Sequence, residues 1–181
     1  MHKRTDLAVV ALVVLGTLGC GGDDPTASRA ESAVSGTAQT VHQRGVELTL
    51  PPEWVGRTLE GSAEVVGVVQ AANFRLPETD NGVAERAQAI MTQDDILIAL
   101  ADYGTAASWM QPPRWEHTSL PIEIRPSDFQ LLEGFRAPAE AKRSVVVNER
   151  GITIYVAFGR DDPKPDQIEE ANRVLGSLTV E

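Results

Sequence analysis

The side chains best equipped for chemistry in this chain are few and scattered. Histidine occurs at positions 2, 42 and 117, and only His117 falls well inside a stretch able to fold. A hydrolase of the serine, histidine and carboxylate kind would need His117 as its general base. Ser108 or Ser119 would then be the nucleophile, with Glu116 or Asp128 orienting the imidazole. No Gly-x-Ser-x-Gly elbow occurs to present a serine at a strand-to-helix turn, and the competing reading of His117 is a solvated loop histidine. Zinc is poorly served, because no other histidine lies nearby and the only cysteine is Cys20. Oxygen ligands gather in Glu78-Thr79-Asp80-Asn81-Gly82 with Glu85, but their spacing is not that of an EF-hand loop. The same residues spell a turn at Asp80-Asn81-Gly82 followed by a capped helix. Asp94-Asp95 and Asp161-Asp162 are adjacent carboxylates, yet neighbours in sequence point apart, and both pairs sit where a turn or an N-cap belongs. No catalytic residue, metal or cofactor is assigned on this basis.

The stretch 103–117 is the stronger candidate for a binding role. It is long for a connection in a compact domain, and long loops carry function disproportionately. Tyr103, Trp109 and Trp115 offer flat apolar faces beside the cation of Arg114, a set suited to stacking on a sugar or gripping a peptide. The same tryptophans could instead fold back to cover an open end of the core. Both readings stand, with Tyr103, Trp109, Arg114 and Trp115 as the candidate contacts for a ligand or partner.

The amino terminus has a different character. Lys3 and Arg4 precede an apolar run at 7–18, and small residues follow it, which is the order of a secretory signal. A run of that length is too short for a helix across a bilayer core of about 30 Å, which needs roughly 20 residues. Leu18-Gly19-Cys20 resembles the lipobox of bacterial lipoproteins. That resemblance implies removal of residues 1–19, a diacylglycerol on the Cys20 sulfur, and Cys20 as the new first residue. Two acyl chains suffice for stable anchoring, at about 0.8 kcal/mol per buried methylene.

From 21 to 40 the chain is built of Gly, Asp, Ser, Thr, Ala and other small or polar residues, with no aromatic side chain. Such a segment cannot bury enough apolar surface to order itself. As a coil of about 20 residues it would hold a domain about 25 Å from its anchor. The expected organisation is a signal peptide at 1–19, a lipidated cysteine and flexible tether at 20–40, and one domain at 41–181. The chain carries 16 basic and 26 acidic side chains, a net charge of −10. Losing Lys3, Arg4 and Asp6 with the signal makes it one unit more negative. That balance argues against nucleic acid and against anionic lipid surfaces as partners, since both need clustered cations.

Within the domain, Val46, Leu48 and Leu50 alternate with polar residues as in a strand with one wet face. Residues 64–73 are rich in valine and read as extended, 83–91 as a short amphipathic helix, and 96–101 as a strand buried on both faces. A short edge strand is expected at 120–124, between Pro121 and Pro126. Strands at 144–148 and 151–158 bracket the hairpin signal Asn148-Glu149-Arg150-Gly151. A final helix is expected at 163–175, with Asp162 as N-cap and Gly176 beyond its end. The order points to an α+β fold, an antiparallel sheet with two helices packed on one side.

Ala71-Ala72-Asn73-Phe74, the run 96–104 ending in Tyr103-Gly104, Ile154-Tyr155-Val156-Ala157-Phe158-Gly159 and Leu175-Gly176-Ser177-Leu178 resemble uncharacterised secreted actinobacterial lipoprotein domains. Leu50-Pro51-Pro52-Glu53-Trp54 and the closing helix are also distantly similar to the PsbP-type α/β sandwich, a non-catalytic fold. These resemblances imply an accessory lipoprotein without a named ligand. Together with the lipobox-like Cys20 and the aromatic stretch, the expectation is an extracytoplasmic protein held to the membrane through Cys20, with a non-catalytic binding or accessory domain and an envelope protein, peptide or glycan as partner. The alternatives are a structural or interaction lipoprotein without a small ligand, or an envelope hydrolase using His117.

Overall fold

A computed structural model describes residues 37–106, 109–112, 114–130 and 136–181. These lie in one compact unit, Val34–Glu181. Cys20, the signal at 1–19, the tether up to residue 36 and Ser108 lie outside the described residues.

The chain first forms a hairpin of β1 (Gln39–Gln43) and β2 (Val46–Leu50), turning through Arg44 and Gly45, both with positive φ. The last strand, β9 (Thr179–Val180), pairs antiparallel with β2 and completes a small sheet in the order β1-β2-β9. β1 opens within the stretch read from sequence as the end of the tether. The main sheet contains β3 (Val55–Glu60), β4 (Gly67–Ala72), β5 (Ile96–Thr105), β6 (Glu116–His117), β7 (Ala139–Val147) and β8 (Arg150–Phe158). Its spatial order is β3-β4-β5-β8-β7-β6, antiparallel throughout except where β6 runs parallel to β7. Two helices complete the description, α1 (Glu85–Ala89) and α2 (Pro165–Leu175).

Strand alternation gives the main sheet two faces, and both are covered. On the inner face Val69, Ile98, Leu100, Ile152, Ile154, Val156 and Phe158 form one apolar cluster with Val46, Leu48 and Leu50 of the small sheet and Ala171, Val174 and Leu175 of α2. On the outer face Ala72, Leu97 and Ala157 pack against Ala84 and Ala87 at α1. Further along that face Val146 packs under Met110 and Trp115. β5 is therefore buried on both sides, as its continuous apolar run requires.

The expected antiparallel sheet with two helices on one side is not what forms. Among the described residues two sheets are present, and only α2 is a helix of substance, with 11 residues. α1 has 5 residues and lies on the opposite face from α2, because its alanines meet Ala72, Leu97 and Ala157, which alternate with the residues facing α2. A helix of that length cannot hold itself together, and the sheet beneath it supplies the packing.

The expected edge strand at 120–124 also fails to form. Leu120-Pro121 is cis, and Ile122 and Ile124 turn into the core. No ladder serves Ile124. Instead its N–H donates to Asn172 Oδ1 at 2.7 Å and its carbonyl accepts from Asn172 Nδ2 at 3.1 Å, so one amide on α2 satisfies both backbone groups. The N-cap of α2 is Lys164 rather than Asp162, with Pro165 in the first turn. In the late hairpin Asn148 and Glu149 carry the positive φ values, 49° and 63°, and Gly151 belongs to β8.

Candidate functional site

The four residues singled out from sequence gather at one end of the outer face. Tyr103 comes from the end of β5, and the chain then crosses the hairpin tip before Trp115 leads into β6. Tyr103 and Trp115 meet edge to face at 5.3 Å between ring centroids, Trp109 and Trp115 at 5.6 Å, and Tyr103 and Trp109 at 6.3 Å. These are the separations and angles that ring quadrupoles favour. The two tryptophans have different fates. Trp115 is 7% exposed and packs with Met110 over Val146, whereas Trp109 is 59% exposed and shows most of its indole to solvent.

Gly151 is the reason the aromatic segment can settle so closely. A Cβ at that position would lie 2.4 Å from Met110 Sδ and 3.3 Å from Trp115 Cζ3. The glycine read from sequence as part of a turn is thus a clearance under the segment.

Beside the cluster runs a groove of about 600 Å³, within the size range of small-ligand pockets. Tyr103, Arg114 and Trp115 line one side, and Lys142, Ser144 and Thr153 line its sheet side. Ser144 and Thr153 are register partners on β7 and β8, with their hydroxyls 3.0 Å apart. Lys142 Nζ stands 5.4 Å over the Tyr155 ring. Burial, with Tyr103 alongside as a smaller cause, pushes the Tyr155 hydroxyl up to about 12. At the β7 edge Arg143, 7% exposed, pairs with Glu116 Oε2 and approaches Asp128 Oδ2 at 4.0 Å. Its Nη1 also donates to the Glu123 carbonyl at 2.7 Å. Arg114 and Lys142 have no ion-pair partner among the described residues.

Sequence reasoning missed Lys142, Ser144 and Thr153. The available signal was alternation, since Lys142 and Ser144 are the partly exposed positions among buried neighbours along β7.

Several of the other chemical candidates have structural roles. The Asp80 carboxylate accepts from the backbone N–H groups of Asn81, Arg86 and Ala87 at 2.8, 3.0 and 2.8 Å, and Arg57 Nη2 stands 3.7 Å away. With Asn81 Oδ1, which accepts from the Glu85 N–H at 3.1 Å, it takes up the first-turn N–H groups of α1, whose N-cap is Ala84. Asp95 accepts from the Thr92 N–H and hydroxyl, Asp94 lies 3.5 Å from Lys164 Nζ, and Asp161 and Asp162 are exposed. His117 and Ser119 line an open cavity of about 890 Å³ with Asn148 and Glu149. Among the described residues no hydrogen bond joins them, and both carboxylates proposed as orienters, Glu116 and Asp128, are engaged by Arg143. No group of three or more His, Cys, Asp or Glu side chains among the described residues could hold a metal ion. No described helix is long and apolar enough to cross a membrane.

No family model, curated protein or solved structure matches the chain.

Proposed function

We propose that this chain is a lipid-anchored, extracytoplasmic protein of the bacterial envelope whose domain binds a ligand and does not catalyse. The anchoring half rests on Leu18-Gly19-Cys20 behind an apolar run. The binding half rests on one observation: Trp109 stands exposed on the rings of Tyr103 and Trp115, both of which line the adjoining groove. An indole held in this way loses little conformational freedom when a ligand covers it, so its apolar face is available for binding at small entropic cost. The open cations Arg114 and Lys142 add orientation to that apolar contact.

Two measurements test the two halves. Metabolic labelling with an alkyne fatty acid is expected to mark the full chain and to disappear in Cys20→Ser, with the protein lost from membranes. Persistent labelling of that variant would overturn the anchoring. The full chain, immobilised, is expected to retain a component of detergent-solubilised envelope that Trp109→Ala fails to retain. Equal retention by both would remove the groove from consideration.

A further inference from the structure

We infer that the ligand of this groove is an acidic saccharide, with a pyranose ring on the exposed face of Trp109 and a carboxylate meeting Arg114 and Lys142. This ligand class presupposes the binding role proposed above and adds a chemical identity to it. The charge pattern is the first support. The chain as a whole carries −10, yet the groove holds two cations that no carboxylate among the described residues answers, because Glu116 and Asp128 are taken up by Arg143. A ligand carboxylate placed there gains charge-assisted hydrogen bonds, for which the Arg114 guanidinium fork is well shaped.

The remaining lining suits a polyhydroxylated ring. Ser144 presents a hydroxyl from the sheet, its partner Thr153 lying buried 3.0 Å from it, and Gln130 lines the edge. Sugars carry an apolar C–H face and a polar rim; the open indole of Trp109, which adjoins the groove through Tyr103 and Trp115 and does not itself line it, meets the first, and the groove meets the second. An extended peptide is less well met. It would bind by adding a strand to the sheet, and the outward carbonyls of β7 are already used. Gln130 N donates to the Glu140 carbonyl at 3.0 Å, Gln130 Nε2 to Lys142 at 3.4 Å, and Thr118 N to Val146 at 3.1 Å. Little ladder is left for a visiting backbone.

Calorimetric titration of the full chain with tetragalacturonate, its methyl ester, cellotetraose and tetraglutamate tests the assignment. Tetragalacturonate is expected to bind, and the ester and cellotetraose at least about tenfold more weakly. Trp109→Ala, and separately the exposed Arg114→Gln, should each weaken tetragalacturonate at least about fivefold with an unchanged urea midpoint. Raised salt should weaken the acid more than the ester. Equal binding of acid and ester, tighter binding of tetraglutamate, or no saccharide binding would each overturn the ligand class. None of these would disturb the envelope-retention result, which judges the binding role separately.

Discussion

Arg150 and Asp102 form a bidentate pair beneath the candidate site, and removing one member gives the sharpest test of how the site is held. Arg150 Nε and Nη2 donate to the two Asp102 oxygens at 2.9 and 2.7 Å, while Nη1 reaches the carbonyl of Glu181 at 3.2 Å. The Asp102 side chain is 5% exposed and that of Arg150 18%. The hydrogen bond to Asp102 raises the guanidinium pKa above its ordinary value, so Arg150 keeps its charge at any working pH. Breaking a buried pair by removing one partner costs about 3–5 kcal/mol, because the survivor keeps its desolvation penalty. In Arg150→Met the survivor is Asp102, left with only the Gly104 N–H at 2.8 Å. The partial exposure of Arg150 admits water beside the orphaned carboxylate, which places the expected loss at the lower end, about 3 kcal/mol. Asp102→Asn keeps an acceptor for Gly104 and should lose less, about 1–2 kcal/mol. Equilibrium urea unfolding followed by tryptophan fluorescence measures both, and the double variant closes the cycle. A coupling of at least about 1.5 kcal/mol is expected. A loss below about 1 kcal/mol in Arg150→Met, or strict additivity in the double variant, would refute the reading of this pair as a buried, coupled ion pair.

Gly151→Ala should force Met110 and Trp115 off β8, at a cost of about 1–3 kcal/mol from overpacking, with a red shift of tryptophan emission; adding Met110→Ala should recover part of the loss in urea unfolding. The raised Tyr155 pKa means that the folded state holds the phenolic proton more tightly than the unfolded chain does. This contribution is complete below pH about 10 and is lost as pH rises through about 12. Spectrophotometric titration of the 2 tyrosines should show one late step that Tyr155→Phe removes, together with a shallower fall in stability above pH about 10.

Strong periodicity made part of this fold legible. The strands β2, β5 and β8 and the helix α2 bury most of their apolar positions, and their spacing announces them. β1 and β3 lack that signal: Val41 is the only buried residue of the first, and the second has none. The first half of β7, Ala139 to Arg143, mixes small and charged residues and so reads as nothing in particular. The segment 120–124 was legible as apolar but not as a clamped loop, because the amide that satisfies it sits 48 residues away on α2. At the candidate site, composition alone pointed to the aromatics. The groove could not be seen that way. Ser144 and Thr153 become neighbours only through the β7–β8 register, and no local pattern encodes a register partner.

The acceptors that hold the first turn of α1 tie this helix to strands distant from it in the chain. The helix is one short turn, and its first amide protons go to Asn81 and to a carboxylate seven residues before Ala87, against which Arg57 of β3 stands. A turn this short does not nucleate on its own in water. Its persistence therefore depends on β3, which holds Arg57 in place, and on β5 and β8, which hold Leu97 and Ala157 beneath it. Although α1 lies between β4 and β5 in the chain, what keeps it helical comes from strands on both sides of it in sequence.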